Sequence, residues 1–154
     1  MISAEKKYNL ERMKSHSFKY GLGKSIDQCV GVDKGKYRFS VQGGAVGSVN
    51  LVDDDGVVVK LPSGAIVTKA YINIVQAMVS TGGTGTIAVS IQSAGDLLAA
   101  VDADTLSGVT AAIPVGTAAT MIKLTAERTL TATVATAAIT AGKFDVFVEF
   151  VLSE

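Results

Sequence analysis

A chain of 154 residues suits one domain whose core can stand without a disulfide or a metal, and the lone Cys29 excludes an internal disulfide. The charged start (Glu5, Lys6, Lys7, Glu11, Arg12) lacks the apolar core of a signal peptide. No run approaches the ~18 apolar residues of a membrane span, so neither secretion by that route nor membrane insertion is expected. Net charge is zero but divided unevenly: residues 1–38 hold nine Lys/Arg against four acids, while residues 39–154 hold five against ten.

Residues 1–35 read as an extended basic arm. Ile2, Leu10 and Met13 give only a weak helical period, and Gly21, Gly23, Gly31 and Gly35 punctuate the remainder of the segment. Such a segment has few apolar groups of its own to bury, so order must come from lying against something else. Its charge fits either a solvated basic leader or an arm that docks on an acidic surface of a neighbouring copy or another protein, with Lys6, Lys7, Arg12, Lys14, Lys19 and Lys24 as the candidate binding residues. Nucleic acid is not expected, because these bases are scattered and Tyr8, Phe18 and Tyr20 form no regular stacking pattern beside them.

From Lys36 a period of two takes over, and residues 36–154 read as the folded domain. Tyr37, Phe39 and Val41 alternate with Lys36, Arg38 and Ser40, which predicts a half-buried antiparallel strand. Ser48 to Val52 is a second strand, Asp53-Asp54-Asp55-Gly56 a turn, and Val57 to Leu61 a third strand. Pro62-Ser63-Gly64 then opens the longest β-prone run in the chain, Ala65 to Val79. Its nearly continuous Ile, Val, Thr and Tyr content predicts a central strand covered on both faces. After Gly82-Gly83-Thr84-Gly85, Ile87, Val89 and Ile91 mark one face of another strand. Asp96 to Ala103 suggests a short helical turn capped by Asp96, and Thr105 to Thr117 a connection. Thr120 to Thr125 and Thr129 to Val134 are strands. Ala141-Gly142 is a turn before the last strand, whose Phe144, Val146, Val148, Phe150 and Leu152 share a face. About eight short strands joined by Gly-rich turns predict an all-β, antiparallel β-sandwich of jelly-roll type.

Groups for catalysis are few. His16 is the only histidine and falls in the arm, and a triad would need it beside a Ser and a carboxylate of the sandwich. One Cys and one His cannot supply zinc-ligand spacing, and three adjacent aspartates cannot all face one calcium ion along a strand. Gly82 to Gly85 is followed by a strand, so it reads as a hairpin loop in place of a phosphate cradle. Asp96, Asp102, Asp104 and Glu127 are the acids an active site would have to draw on. The expectation is no enzyme, no cofactor and no metal site.

The surface says more. Residues 39–154 carry fifteen charged residues in 116, with Ala, Thr, Gly and Val prominent, against ~25% charge in ordinary soluble domains. Thr and Ala cost less to desolvate than Lys and Glu, so this composition suits faces shared between copies. The stretches Gly64 to Ile72, Ser80 to Thr86, Gly95 to Ala100, Ile113 to Ala118 and Ala141 to Phe150 together resemble small head decoration, or cement, proteins of tailed bacteriophages. The resemblance covers about residues 36–154 and leaves the arm uncovered. It implies a β-sandwich that assembles, often as a homotrimer, on the outer surface of an icosahedral shell of major capsid protein, made in the host cytoplasm and carried in the virion. A receptor- or glycan-binding module of a tail or head fibre is the alternative, and would need exposed aromatics.

Overall fold

The computed structural model describes residues 30–152. Among them eleven strands run in order: β1 (Val30–Arg38), β2 (Gly47–Asn50), β3 (Lys60–Leu61), β4 (Ala65–Ser80), β5 (Thr86–Ser90) and β6 (Leu98–Asp102) come first. After them come β7 (Val109–Val115), β8 (Ile122–Lys123), β9 (Arg128–Thr129), β10 (Thr131–Ala135) and β11 (Ile139–Leu152).

Two antiparallel sheets face each other. Sheet A has the order β1-β11-β4-β7, with the short β8 also pairing β4; sheet B has the order β2-β10-β5-β6, and β3 pairs β9 beside them. If the eight principal strands are numbered along the chain, sheet A holds the first, eighth, third and sixth, and sheet B the second, seventh, fourth and fifth. That interleaving is the jelly roll the strand count predicts, with three two-residue strands added.

The core lies between the sheets. Sheet A contributes Tyr37, Val67, Ala70, Ile72, Phe144, Val146 and Val148, and sheet B Ile87, Val89, Ala132 and Val134, all buried. Leu51, Leu61, Leu97, Leu124 and Leu130 close the ends of the sandwich. Tyr37 stacks on Phe144 with ring centroids 5.0 Å apart, and its hydroxyl donates to Gly43 O at 2.8 Å. Gly35, two residues earlier, is small of necessity. A Cβ there would sit 2.9 Å from Leu51 Cβ and 2.5 Å from Leu130 Cδ2, so the bare backbone of β1 is part of the core wall.

Several expectations are corrected. Residues 30–35, assigned to the arm, are already strand: β1 pairs β11 residue for residue from Val30↔Val151 to Arg38↔Lys143. Gly31 and Gly35 read as breakers, yet here they let Phe150, Leu51 and Leu130 approach the backbone. That strand ends at Arg38, not Val41. Phe39–Gln42 forms one helical turn closed by Arg38 N–H donating to Gln42 Oε1 at 2.7 Å. The helical turn expected over Asp96 to Ala103 is absent; β6 occupies most of it, because pairing with β5 outweighs the helix propensity of Leu and Ala, and a short 3-10 turn begins only at Ala103. The supposed connection after Thr105 contains β7, an edge strand, where the missing N–H of Pro114 is tolerated. Ala141 and Gly142 do not turn the chain but shift the register within β11. Finally, β4 is covered on one face only: Ala65, Val67, Ala70, Ile72 and Met78 are buried, whereas Lys69, Tyr71, Val75 and Val79 are exposed.

Candidate interaction surface

The acids that could have made an active site are each occupied locally. Asp96 accepts backbone N–H groups of Ile91 (2.8 Å), Gln92 (2.9 Å) and Ser93 (2.7 Å), which fastens the loop after β5. Asp102 accepts from Asp104 N–H at 2.9 Å, and Asp104 in turn takes Ser80 N–H at 3.1 Å and the Ser80 hydroxyl. Those Ser80 bonds hold the Asp104 carboxyl below the usual carboxylate range, the hydroxyl bond being the larger cause. Glu127 pairs with Lys60 at 3.1 Å. The four carboxylates serve different loops and are not gathered into one site.

The aspartate turn behaves the same way. Asp53 Oδ1 accepts the N–H groups of Asp55 and Val57, both at 2.9 Å, as an Asx-type turn does. Asp54 reaches back to β1, where it pairs with Lys36 and, at 3.0 Å, with Lys34. The hydrogen bonds from Lys36 and then Lys34 lower its carboxyl from 3.8 to about 2. No group of three His, Cys, Asp or Glu among the described residues could hold a metal ion. His16, Cys29 and the arm bases Lys6, Lys7, Arg12, Lys14, Lys19 and Lys24 lie outside the described residues.

The two outer faces of the sandwich differ in chemistry. Sheet B presents hydroxyls and methyls: Ser48 and Thr133 share a hydrogen bond of 2.8 Å across β2 and β10, with Thr131, Ser90, Thr86 and Ala88 beside them. Its four strands contain no Lys or Arg, and Asp102 is their one charge. Sheet A is different. By strand alternation Lys34, Lys36 and Arg38 of β1 share its outer face with Lys143, Asp145, Phe147 and Glu149 of β11 and Lys69 and Tyr71 of β4. Arg38 is locked there, donating to Asp145 at 2.5 Å and to the carbonyls of Tyr37 and Phe144 at 2.8 Å each.

At the middle of that face Tyr71 and Phe147 stack, with ring centroids 4.8 Å apart and ring planes 13° from parallel. On the β7 side, Ala111 lies opposite Tyr71, and Val109, Ile113 and Val115 continue the row. Their exposures are 70% for Val109, 51% for Ile113, 52% for Val115 and 38% for Tyr71. Sequence reasoning missed this strip because it took Tyr71 and Phe147 as strand interior and residues 105–117 as a connection. Alternation of Val109, Ala111, Ile113 and Val115 with buried Ala112 and Pro114 was the signal available.

No family model matches the chain, and no curated protein matches it. Solved structures do. A chain of the acid-stable capsid structure of Helicobacter pylori bacteriophage KHP30 is 20% identical, with a TM-score of 0.57 over 81% of this chain and 89% of that one. A chain of the cyanophage Pam1 capsid asymmetric unit is 22% identical, with a TM-score of 0.57 over 85% and 90%. A chain of the capsid of Ralstonia phage GP4 is 17% identical, with a TM-score of 0.59 over 86% and 90%. At these identities the likeness establishes a shared fold, found in chains of bacteriophage capsid structures and spanning nearly the whole of each.

Proposed function

We propose that this protein is a structural component of a phage virion, and specifically a decoration or cement protein that binds the outside of the head and bridges its capsid subunits. The single observation that carries the reading is the jelly roll shared over 81–86% of this chain with chains of three phage capsid structures. The carboxylates committed to loops and the nearly uncharged face of sheet B, where Asp102 is the one charge on the strands, agree with a role in binding and not in turnover. Its partners would be the major capsid protein and further copies of itself, in a trimer. Copies would meet through the Ser/Thr/Ala face of sheet B, whose desolvation cost is low. The basic segment with Lys6, Lys7, Arg12, Lys14, Lys19 and Lys24 would lie along an acidic surface of the shell or of a neighbour.

Mixing the purified protein with shells that lack it tests the reading directly. Co-sedimentation at a fixed ratio of copies to shell subunits is expected, together with a higher unfolding temperature of the loaded shell. Failure of the protein to sediment with shells would overturn the proposal. Reversing the six arm bases to Glu should abolish or strongly weaken that binding, and Thr133→Asp should lower the mass seen by light scattering.

Exposure of Tyr71 gives the glycan-binding alternative one foothold. Its ring, however, is stacked on Phe147 and lies opposite Ala111, so one of its faces is already covered. A glycan-array signal from the purified protein would favour that reading.

A further inference from the structure

Sheet A carries a surface that the rest of the chain does not explain. All four outward residues of β7, Val109, Ala111, Ile113 and Val115, are apolar and exposed, and the strand holds no charge at all. Single exposed valines are ordinary. A contiguous row on an edge strand, running into a stacked Tyr71–Phe147 pair, marks a surface that another molecule covers.

The charges around the row indicate what kind of molecule. Five of the described bases, Lys34, Lys36, Arg38, Lys69 and Lys143, lie on this face, against Asp145, Glu149 and the Asp54 that reaches it from its turn. The face therefore bears an excess of positive charge, while the strands of sheet B have no base. The chain's own residues 1–29 fit it poorly, since they hold six bases against three acids and repel it. Those residues enter the fold at β1, the other edge of the same sheet. Segment and face thus carry charge of the same sign.

We propose that the outer face of sheet A is a docking surface for an acidic protein surface with an apolar patch, the β7 row and Tyr71–Phe147 forming its apolar side and the bases of β4, β11 and β1 its charged side. This rests on the proposed role at a phage head: the acidic surface then belongs to the shell, and sheet B is left for contacts between copies. Aromatic and aliphatic side chains next to charged ones are the materials of ordinary protein interfaces.

The test uses the full chain and shells lacking it. Val109→Asp with Ile113→Asp places carboxylates in the apolar row, and Lys69→Glu with Lys143→Glu reverses two of the bases beside it. Each pair should weaken co-sedimentation about tenfold or more, the expected size for loss of a buried contact or charge match at an interface. Both should keep the wild-type unfolding temperature and light-scattering mass. Binding of the wild type should also weaken as salt is raised, and amide exchange in β4 and β7 should slow on the shell. Wild-type protein that fails to bind shells would sink the functional reading and this proposal with it. Wild-type binding matched by both variants overturns the proposal alone. A variant that changes the mass would reassign the face to contacts between copies, and one that melts early would show it covered from within; either result also overturns it.

Discussion

β1 is the strand through which any pull on the basic segment must enter the fold, so its anchor sets what the segment can hold. That anchor is Tyr37, fully buried, stacked on Phe144 at 5.0 Å and donating its hydroxyl to Gly43 O at 2.8 Å. Two substitutions separate these contributions. Tyr37→Phe keeps the ring and the stack but leaves the Gly43 carbonyl without that donor, a loss of about 1–2 kcal/mol. Tyr37→Ala removes the ring as well and opens a cavity between β1 and β11, a loss of about 3–5 kcal/mol. For a domain of this size 1 kcal/mol lowers the melting temperature by roughly 2–4 °C. Urea unfolding at pH 7 should order the proteins wild type, Phe, Ala, with equal slopes. Alkali supplies a further check. Burial raises the Tyr37 phenol above its usual 10.0, so the folded state favours the neutral form more than the unfolded chain does. That contribution is complete below pH 10 and declines as pH rises past it, and Tyr37→Phe should lose less stability over that interval. Equal costs for Phe and Ala, or an Ala cost below about 1 kcal/mol, would refute the claim that the stacked ring is what anchors β1.

Three other outcomes are expected from the same structure. Removing residues 1–29 should leave cooperative unfolding intact, whereas removing 1–35 takes six residues of β1 from beside β11 and should lower the melting temperature sharply or prevent folding; circular dichroism melts of the two compare them. Gly142→Ala should destabilise by about 1–3 kcal/mol, because its φ of 137° suits glycine and an added Cβ would lie 2.9 Å from Met78 Cα, as chemical unfolding would measure. Asp54 titrates lower folded than unfolded, so its tie to Lys36 and Lys34 is fully present above pH 4 and lost as pH falls through 3.8 towards 2. The carboxylate is over half exposed, so solvent screening keeps the effect to about 1 kcal/mol or less; Asp54→Asn should cost that much at pH 7 and much less at pH 2.

The strand count, the period of two and the sandwich could be read from residues because alternation is a local property. Phe144, Val146, Val148 and Phe150 announce a buried face wherever they stand, and β11 buries it. What resisted reading depends on partners far along the chain. Gly31 and Gly35 look like breakers until Phe150, Leu51 and Leu130 are known to pack on them. Leu97 to Ala100 favours a helix weakly, and only the presence of β5 alongside settles the matter. The chemistry of the candidate interaction surfaces was half legible. Low charge and abundant Thr and Ala pointed to shared faces, and those residues do line sheet B. The apolar row of β7 was hidden by Pro114, taken as the mark of a loop.

β4 shows the same limit from the other side, and with a consequence for function. Its apolar run predicts cover on both faces, and the described chain supplies one. Apolar content encodes how much burial a strand is built for, but not whether the cover comes from the same molecule. Tyr71, Val75 and Val79 carry the composition of an interior strand while remaining exposed, and β7 repeats the pattern beside them. An isolated sheet with such a face invites edge-to-edge pairing unless its edges are blunted. Here the devices are few: Pro114 removes one donor from β7, and the register breaks between Lys69 and Tyr71 where β7 meets β4. On the opposite edge the Lys34–Asp54–Lys36 cluster and the bridge from Lys36 to Val52 close off β1. Blocking the edges while leaving the face apolar permits broad contact by the flat of the sheet and discourages strand addition. That is the geometry which the proposed docking on a shell would need if further copies are not to be recruited into a fibre.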